Sequence, residues 1–120
     1  MQKKIKQTVT TPECKKGMLA INDALELLSG KWKIKIIALL LNHKKFLFME
    51  LLREIDGIGT KMLTKNLHEL EVNQLITRTV LATKPVTVEY QLTPHGQTLI
   101  SVIDAIESWG TSHRNFLLHQ

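Results

Sequence analysis

Two glycines one residue apart, in Asp56-Gly57-Ile58-Gly59, separate two short stretches whose apolar residues recur at helical spacing. Before them, Phe48, Leu51, Leu52 and Ile55 fall on one side of a helix over about 48–55. After them, Leu63, Leu67 and Leu70 line a second helix that runs to about Val72. Glycine reaches backbone angles closed to other residues, so the link reads as a tight turn. Two helices that each bury one side and are joined this closely form a helix-turn-helix. Thr60 stands where a hydroxyl can cap the second helix.

The period then changes. Val86, Val88, Tyr90 and Leu92 alternate with Thr87, Glu89 and Gln91, as in a half-buried strand. Its partner is Ile76 to Ala82, and Thr83-Lys84-Pro85 is the connecting turn, giving a basic-tipped hairpin over about 76–92. A hairpin directly after the second helix is a wing. Phe46-Leu47 is a candidate first strand. Upstream, Ile21, Ala24, Leu25 and Leu28 recur at helical spacing as far as Ser29-Gly30. A helix over about 32–41 carries Trp32, Ile36, Ile37, Leu40 and Leu41 on its inner side.

Thr93-Pro94 opens another helix, with Thr as cap and Pro at the first position, where its missing N–H costs nothing. Ile100, Ile103, Ile106 and Trp109 line one side of it to about Gly110, and a short tail helix follows through Phe116 and Leu117. The expected fold is α+β and mostly helical: a winged helix-turn-helix with a two-stranded wing. It forms a single domain over 14–120, preceded by a basic arm over 1–13.

The chain is 43% hydrophobic and 22% charged, enough apolar residue for a core and too little charge for a disordered chain. A formal net charge of +5 favours a polyanionic partner such as nucleic acid. The first residues lack the apolar core of a secretory signal, and Ile34 to Leu41 is far shorter than the ~20 residues of a spanning helix. The single cysteine, Cys14, excludes an internal disulfide and suits a reducing compartment. The cytoplasm is the expected location, with no membrane partner. The five histidines show no metal-ligand spacing, and no nucleophile–base pair or phosphate-cradling glycine loop accompanies them. Neither a metal, a cofactor nor catalysis is expected.

Four segments are more specific: LLSGKWK over 27–33, Phe48-Met49-Glu50-Leu51, GIGTKMLTKNLHELE over 57–71 and PVTVEYQLTPHG over 85–96. In this order and spacing they make residues 14–114 resemble the HxlR-type family of winged helix-turn-helix regulators, relatives of the MarR type. The resemblance implies a bacterial repressor or activator of transcription that is a homodimer, with the helices at both ends as the dimer seam. It also implies that the helix after Gly59 enters the DNA major groove of an inverted-repeat operator. Gly59, Asn66 and Gln74 depart from the serine, arginine and glycine common in the family, and Leu47 from a frequent basic residue.

Thr60, Lys61, Thr64, Lys65, Asn66 and His68 form the expected exposed side of that helix. Asn and His exchange hydrogen bonds with base edges, while Lys and Thr serve phosphates or bases. On the hairpin, Arg78 and Lys84 are candidates for the DNA backbone or minor groove. Arg78 has a second reading as a strand residue paired with Glu89. Lys31, Lys33, Lys35, Lys44 and Lys45 form a run free of acids that reads as solvated charge; Lys31, Lys33 and Lys35 cannot share one narrow face, because successive helix residues sit ~100° apart. Trp32 and Trp109 read as core or seam. Cys14 lies between Glu13 and Lys15-Lys16, charged surroundings in which a thiol is a candidate for attack by oxidants or electrophiles. Some members of the resembling family use a cysteine at this place as a sensor, so an oxidant or small molecule is the expected signal. The competing reading is a winged-helix module that binds protein and never touches DNA.

Overall fold

The computed structural model describes residues 12–120. The chain divides into two compact units, one up to Gly30 and one from Lys31. Residues 1–11 of the expected arm lie outside the described residues, and its last two, Pro12 and Glu13, open a helix.

The first unit is α1, Pro12–Leu27. Proline suits a first helical position, and the acidic Glu13 in the first turn complements the positive end of the helix. At the other end Leu28 N–H reaches Ala24 O at 2.9 Å, Ser29 Oγ donates to Glu26 O at 3.0 Å, and Gly30 takes a positive φ of 84°. That left-handed angle stops the helix where the glycine predicts. Cys14, Met18, Ile21 and Leu25 share one side of α1, being four, three and four residues apart. Met18, Ile21 and Leu25 are exposed and Cys14 is half-buried.

The second unit carries α2 (Lys33–Asn42), β1 (Phe46–Leu47), α3 (Phe48–Glu54) and α4 (Thr60–Val72). It continues with β2 (Ile76–Leu81), β3 (Thr87–Leu92), α5 (Pro94–Gln97) and α6 (Ile100–Leu118). The three strands form one antiparallel sheet in the order β1-β3-β2. Tyr90 at its centre stands opposite Phe46 on one side and Arg78 on the other. The core gathers Ile36, Ile37 and Leu40 of α2, Leu51 of α3, and Leu63, Leu67 and Leu70 of α4, with Leu75, Ile76 and Leu92 at the hairpin root. The residues of α2, α3 and α4 and Leu92 lie on the apolar stripes that the helical and alternating periods mark out, whereas Leu75 lies on none of them and Val86, on the expected strand face, is exposed ahead of β3.

Two junctions hold the hairpin to its neighbours. After α4, Leu75 N–H bonds Leu70 O at 3.0 Å and Gln74 N–H bonds Glu71 O at 2.9 Å. This pair of bonds is the Schellman closure, in which the penultimate position is left-handed and most often glycine. Here it is Gln74, at φ 63°. After β3, the Thr93 hydroxyl accepts from Gly96 N–H at 2.9 Å, capping α5 as the Thr-Pro pair predicts, and donates to Gln74 O at 2.7 Å. A Cβ on Gly96 would collide with the Leu75 carbonyl, so a side chain there is excluded.

Three expectations need correction. Gly59, not Thr60, occupies the cap of α4, where no side chain bonds the free N–H groups; Thr60 is already helical. The helix after Thr93-Pro94 breaks near Thr98, leaving the short α5 separate from α6. α6 then runs unbroken through Gly110 as 19 residues, with no separate tail helix. A glycine inside a helix costs only ~1 kcal/mol, which its neighbours offset.

Candidate nucleic-acid interface

α4 sorts its residues by angle. At ~100° per residue, Leu63, Leu67 and Leu70 centre on one side of the helix, while Lys61, Thr64, Lys65 and His68 recur at three- and four-residue steps on the opposite side. The structure buries the first set and exposes the second. The exposed stripe begins two residues after Gly59 and runs to the last turns of the helix. Its chemistry is that of two ammonium groups, a hydroxyl and an imidazole. Thr64 Oγ1 donates its proton to Thr60 O at 2.8 Å, so toward solvent it offers oxygen lone pairs and a methyl group, not a donor.

Asn66 is corrected from this stripe. It is only 6% exposed, and its Nδ2 donates to Met62 O at 2.8 Å. Three residues after Leu63 and four before Leu70, it falls on the buried side of the helix, where an amide must find a partner within its own turn. A helical wheel of 60–72 carries this signal, whereas residue type alone points outward.

Lys33 is corrected in the same way. Its Nζ lies 2.5 Å from Glu69 Oε1, and the residue is buried. The reading of Lys33 as solvated charge fails because it lies three residues before Ile36 and four before Ile37, on the inner face of α2. Hydrogen bonding to Lys33 holds the Glu69 carboxyl below its usual value of 4.5; the charges of Lys33, Lys65 and His68 add to this and desolvation opposes it. The pair ties α2 to the flank of α4 beside the exposed stripe. No motif announces it, since its two residues are separated by the whole of α3.

Lys31 and Lys35 differ again. Each sets its ammonium against the face of Trp32, at 4.8 Å and 5.1 Å from a ring centroid.

On the hairpin, Lys84 stands in the exposed loop between β2 and β3, where Thr83 Oγ1 bonds Pro85 O at 2.8 Å and meets the Thr87 hydroxyl at 2.9 Å. Arg78 is exposed near the root, on β2. Its expected alternative partner, Glu89, stands opposite Thr79 instead, and a one-residue offset in a strand turns a side chain to the other face. Arg78 lines a shallow depression with Glu71, Gln74, Thr77 and His95, away from Lys84. With a rise of ~3.3 Å per residue, β2 carries the loop ~17 Å from the root.

α6 shows a different surface. Val102, Ile106, Trp109, His113 and Phe116 follow one another at four- and three-residue steps, the spacing of helices that pair side by side. Val102, Ile106, Trp109 and Phe116 are exposed apolar residues, Trp109 at 68%, and the Trp109 and His113 rings stack at 4.8 Å. This stripe differs from the expected line of Ile100, Ile103, Ile106 and Trp109, whose three-residue steps drift around the helix. Among the described residues no group of three or more His, Cys, Asp or Glu is placed to hold a metal ion, and no helix is long and apolar enough to cross a membrane.

Residues 27–116 match the family described as HxlR-like helix-turn-helix. The chain is 39% identical over 103 residues to the HTH-type transcriptional regulator YtcD of Bacillus subtilis, covering 86% of this chain and 81% of that one. The crystal structure of YtcD superposes with a TM-score of 0.74 over 79% of this chain and 96% of that one. The redox regulator HypR in its reduced form is 33% identical, with a TM-score of 0.76 over 84% of this chain and 99% of that one. The reduced form of the transcriptional regulator YodB from Bacillus subtilis is also 33% identical, with a TM-score of 0.65 over 83% of this chain and 90% of that one. With its winged helix-turn-helix and these relatives, the chain belongs to the HxlR-like helix-turn-helix family and is a DNA-binding transcriptional regulator, not an enzyme.

Proposed function

We propose that the protein is a sequence-specific regulator that binds an inverted-repeat operator as a homodimer. The observation that carries this is the stripe of Lys61, Thr64, Lys65 and His68, opposite the buried leucines and between the glycine turn and the hairpin. A recognition helix needs this division: an apolar side to lock its angle, and a polar side free to meet base edges and phosphates. In this reading Lys61 and Lys65 engage phosphates or guanines, while His68 and the Thr64 lone pairs and methyl meet base edges. Thr60 supplies its backbone N–H at the helix start, and Lys84 follows the sugar-phosphate backbone from the wing. Arg78, at the hairpin root, has a secondary part at most, and Asn66 has none.

The apolar stripe of α6 supports the homodimer, since helices with exposed residues at this spacing are stable when paired with a second copy. The α1 stripe that includes Cys14 supports a second seam element, and in that reading an intersubunit disulfide or adduct at the thiol bears on the assembly. Among the relatives, the redox regulator HypR and the diamide-treated form of YodB support an oxidant or electrophile as the signal.

Mapping bound sites genome-wide returns the operator, and titrations of operator and unrelated duplex across salt concentrations then test the face. Lys65→Ala lowers the salt slope by about 1 or relaxes base preference, whereas Asn66→Ala leaves both unchanged. A Lys61→Ala, Lys65→Ala double variant that binds operator as well as wild type overturns the assignment.

A further inference from the structure

Lys31 and Lys35 lie one turn apart on the two sides of the residue that opens α2, and both ammonium groups rest against the Trp32 ring. The far edge of that ring abuts the turn before α4: a Cβ placed on Gly57 would meet Trp32 Cη2 at 3.8 Å. Gly57 precedes by two residues the cap of α4, the end from which a recognition helix enters the groove. Trp32 therefore carries two cations to the flank of the glycine turn, although the turn itself has no basic residue.

Both lysines are exposed, so each ammonium keeps N–H donors toward solvent while one side lies on the ring. A lysine in free solution must lose rotamer freedom to hold a phosphate. One already stacked on an aromatic face has lost part of it. The first turn of α2 also carries no acidic residue that would compete for the ammonium groups.

We infer that Lys31 and Lys35, pre-positioned on Trp32, form a backbone-phosphate clamp on the DNA flanking the bases met by α4. The inference rests on the DNA reading of α4 and extends its footprint to the start of α2. The clamp carries no sequence information; it sets affinity and register for every duplex alike.

The test is the Lys31→Gln, Lys35→Gln double variant of the full chain, titrated with operator and with unrelated duplex over a range of KCl. The expected result is weaker binding to both duplexes in the same proportion. The slope of log affinity against log salt should fall by about 0.9 for each phosphate no longer neutralised, hence on the order of 2 per bound chain. A Trp32→Leu variant keeps both charges and removes their platform; it should weaken binding to both duplexes while retaining most of the slope. An unchanged slope in the double variant, alongside a reduced slope in Lys65→Ala, overturns the clamp and leaves the α4 reading standing. Wild-type protein that binds no duplex at any salt overturns both.

Discussion

Lys33 on α2 and Glu69 on α4 meet at 2.5 Å, joining the scaffold helix to the flank of the helix assigned to the DNA groove. Glu69 remains 39% exposed at its side chain while Lys33 is enclosed to 10%. The two ends of the bridge therefore respond differently to change. Removing the carboxylate strands a buried ammonium, the costlier way to break such a pair.

The pH dependence follows from the lowered Glu69 value. A carboxyl whose folded value is depressed adds stability that is present above its unfolded value, near 4.5, and lost as pH falls through the lower folded value. Glu69→Gln should melt below wild type by a constant margin at pH 6–8. The margin should shrink once pH drops below about 4.5. Thermal melts of both proteins from pH 7 to pH 3 measure this, and a margin independent of pH would show that the ion pair contributes nothing to the fold.

Gln74 bears a backbone cost that glycine avoids. The left-handed angle costs an L-residue about 1–2 kcal/mol, and the greater freedom of glycine in the unfolded chain offsets part of that difference. Gln74→Gly should raise stability by about 0.5–1 kcal/mol in a denaturant titration, with operator affinity unchanged. A loss of stability would mean that the Gln74 side chain holds the junction by some other contact.

Much of this architecture is legible from residue type and spacing. Glycines at positions 30 and 57, both at positive φ, the Thr93-Pro94 pair and the alternation from 87 to 92 each state a local backbone requirement that is met, whereas Gly59 sits at φ −93°, an angle open to any residue, and Val86 is exposed ahead of the strand. The misreadings share one cause. Lys33 and Asn66 are polar, and polarity points outward unless a partner is known; their partners are Glu69, brought in by tertiary folding, and a carbonyl one turn away. The continuous α6 is hidden for a related reason, since Gly110 signals a stop that the surrounding helical residues override.

The exposed stripe of α6 predicts an oligomeric state. Trp109→Asp places a charge at its centre without touching the core, because Trp109 is mostly exposed in the single chain. Sedimentation or light scattering should find two chains per particle in wild type and one in the variant, with the helical circular dichroism of the single chain retained. A variant that stays dimeric would move the seam away from this stripe.

Cys14 offers an independent check on the seam. Diamide should convert wild-type protein to a dimer band on a non-reducing gel, or lower its affinity for operator, and Cys14→Ser should show neither response. Wild-type protein that keeps a monomer band and full DNA binding after diamide would remove the thiol from the regulatory scheme.

The hairpin root also decides where this fold accepts extra residues. A single hydroxyl, that of Thr93, spans the end of α4 and the start of α5, and Gly96 sits against the Leu75 carbonyl with no room for a methyl group. One inserted residue at 73–75 or 93–96 would put every donor out of phase with its acceptor. At 83–86, by contrast, the loop is exposed and held mainly by the threonine hydroxyls. The wing of this chain can therefore change in length at its tip, while the joint beneath it must keep a fixed residue count.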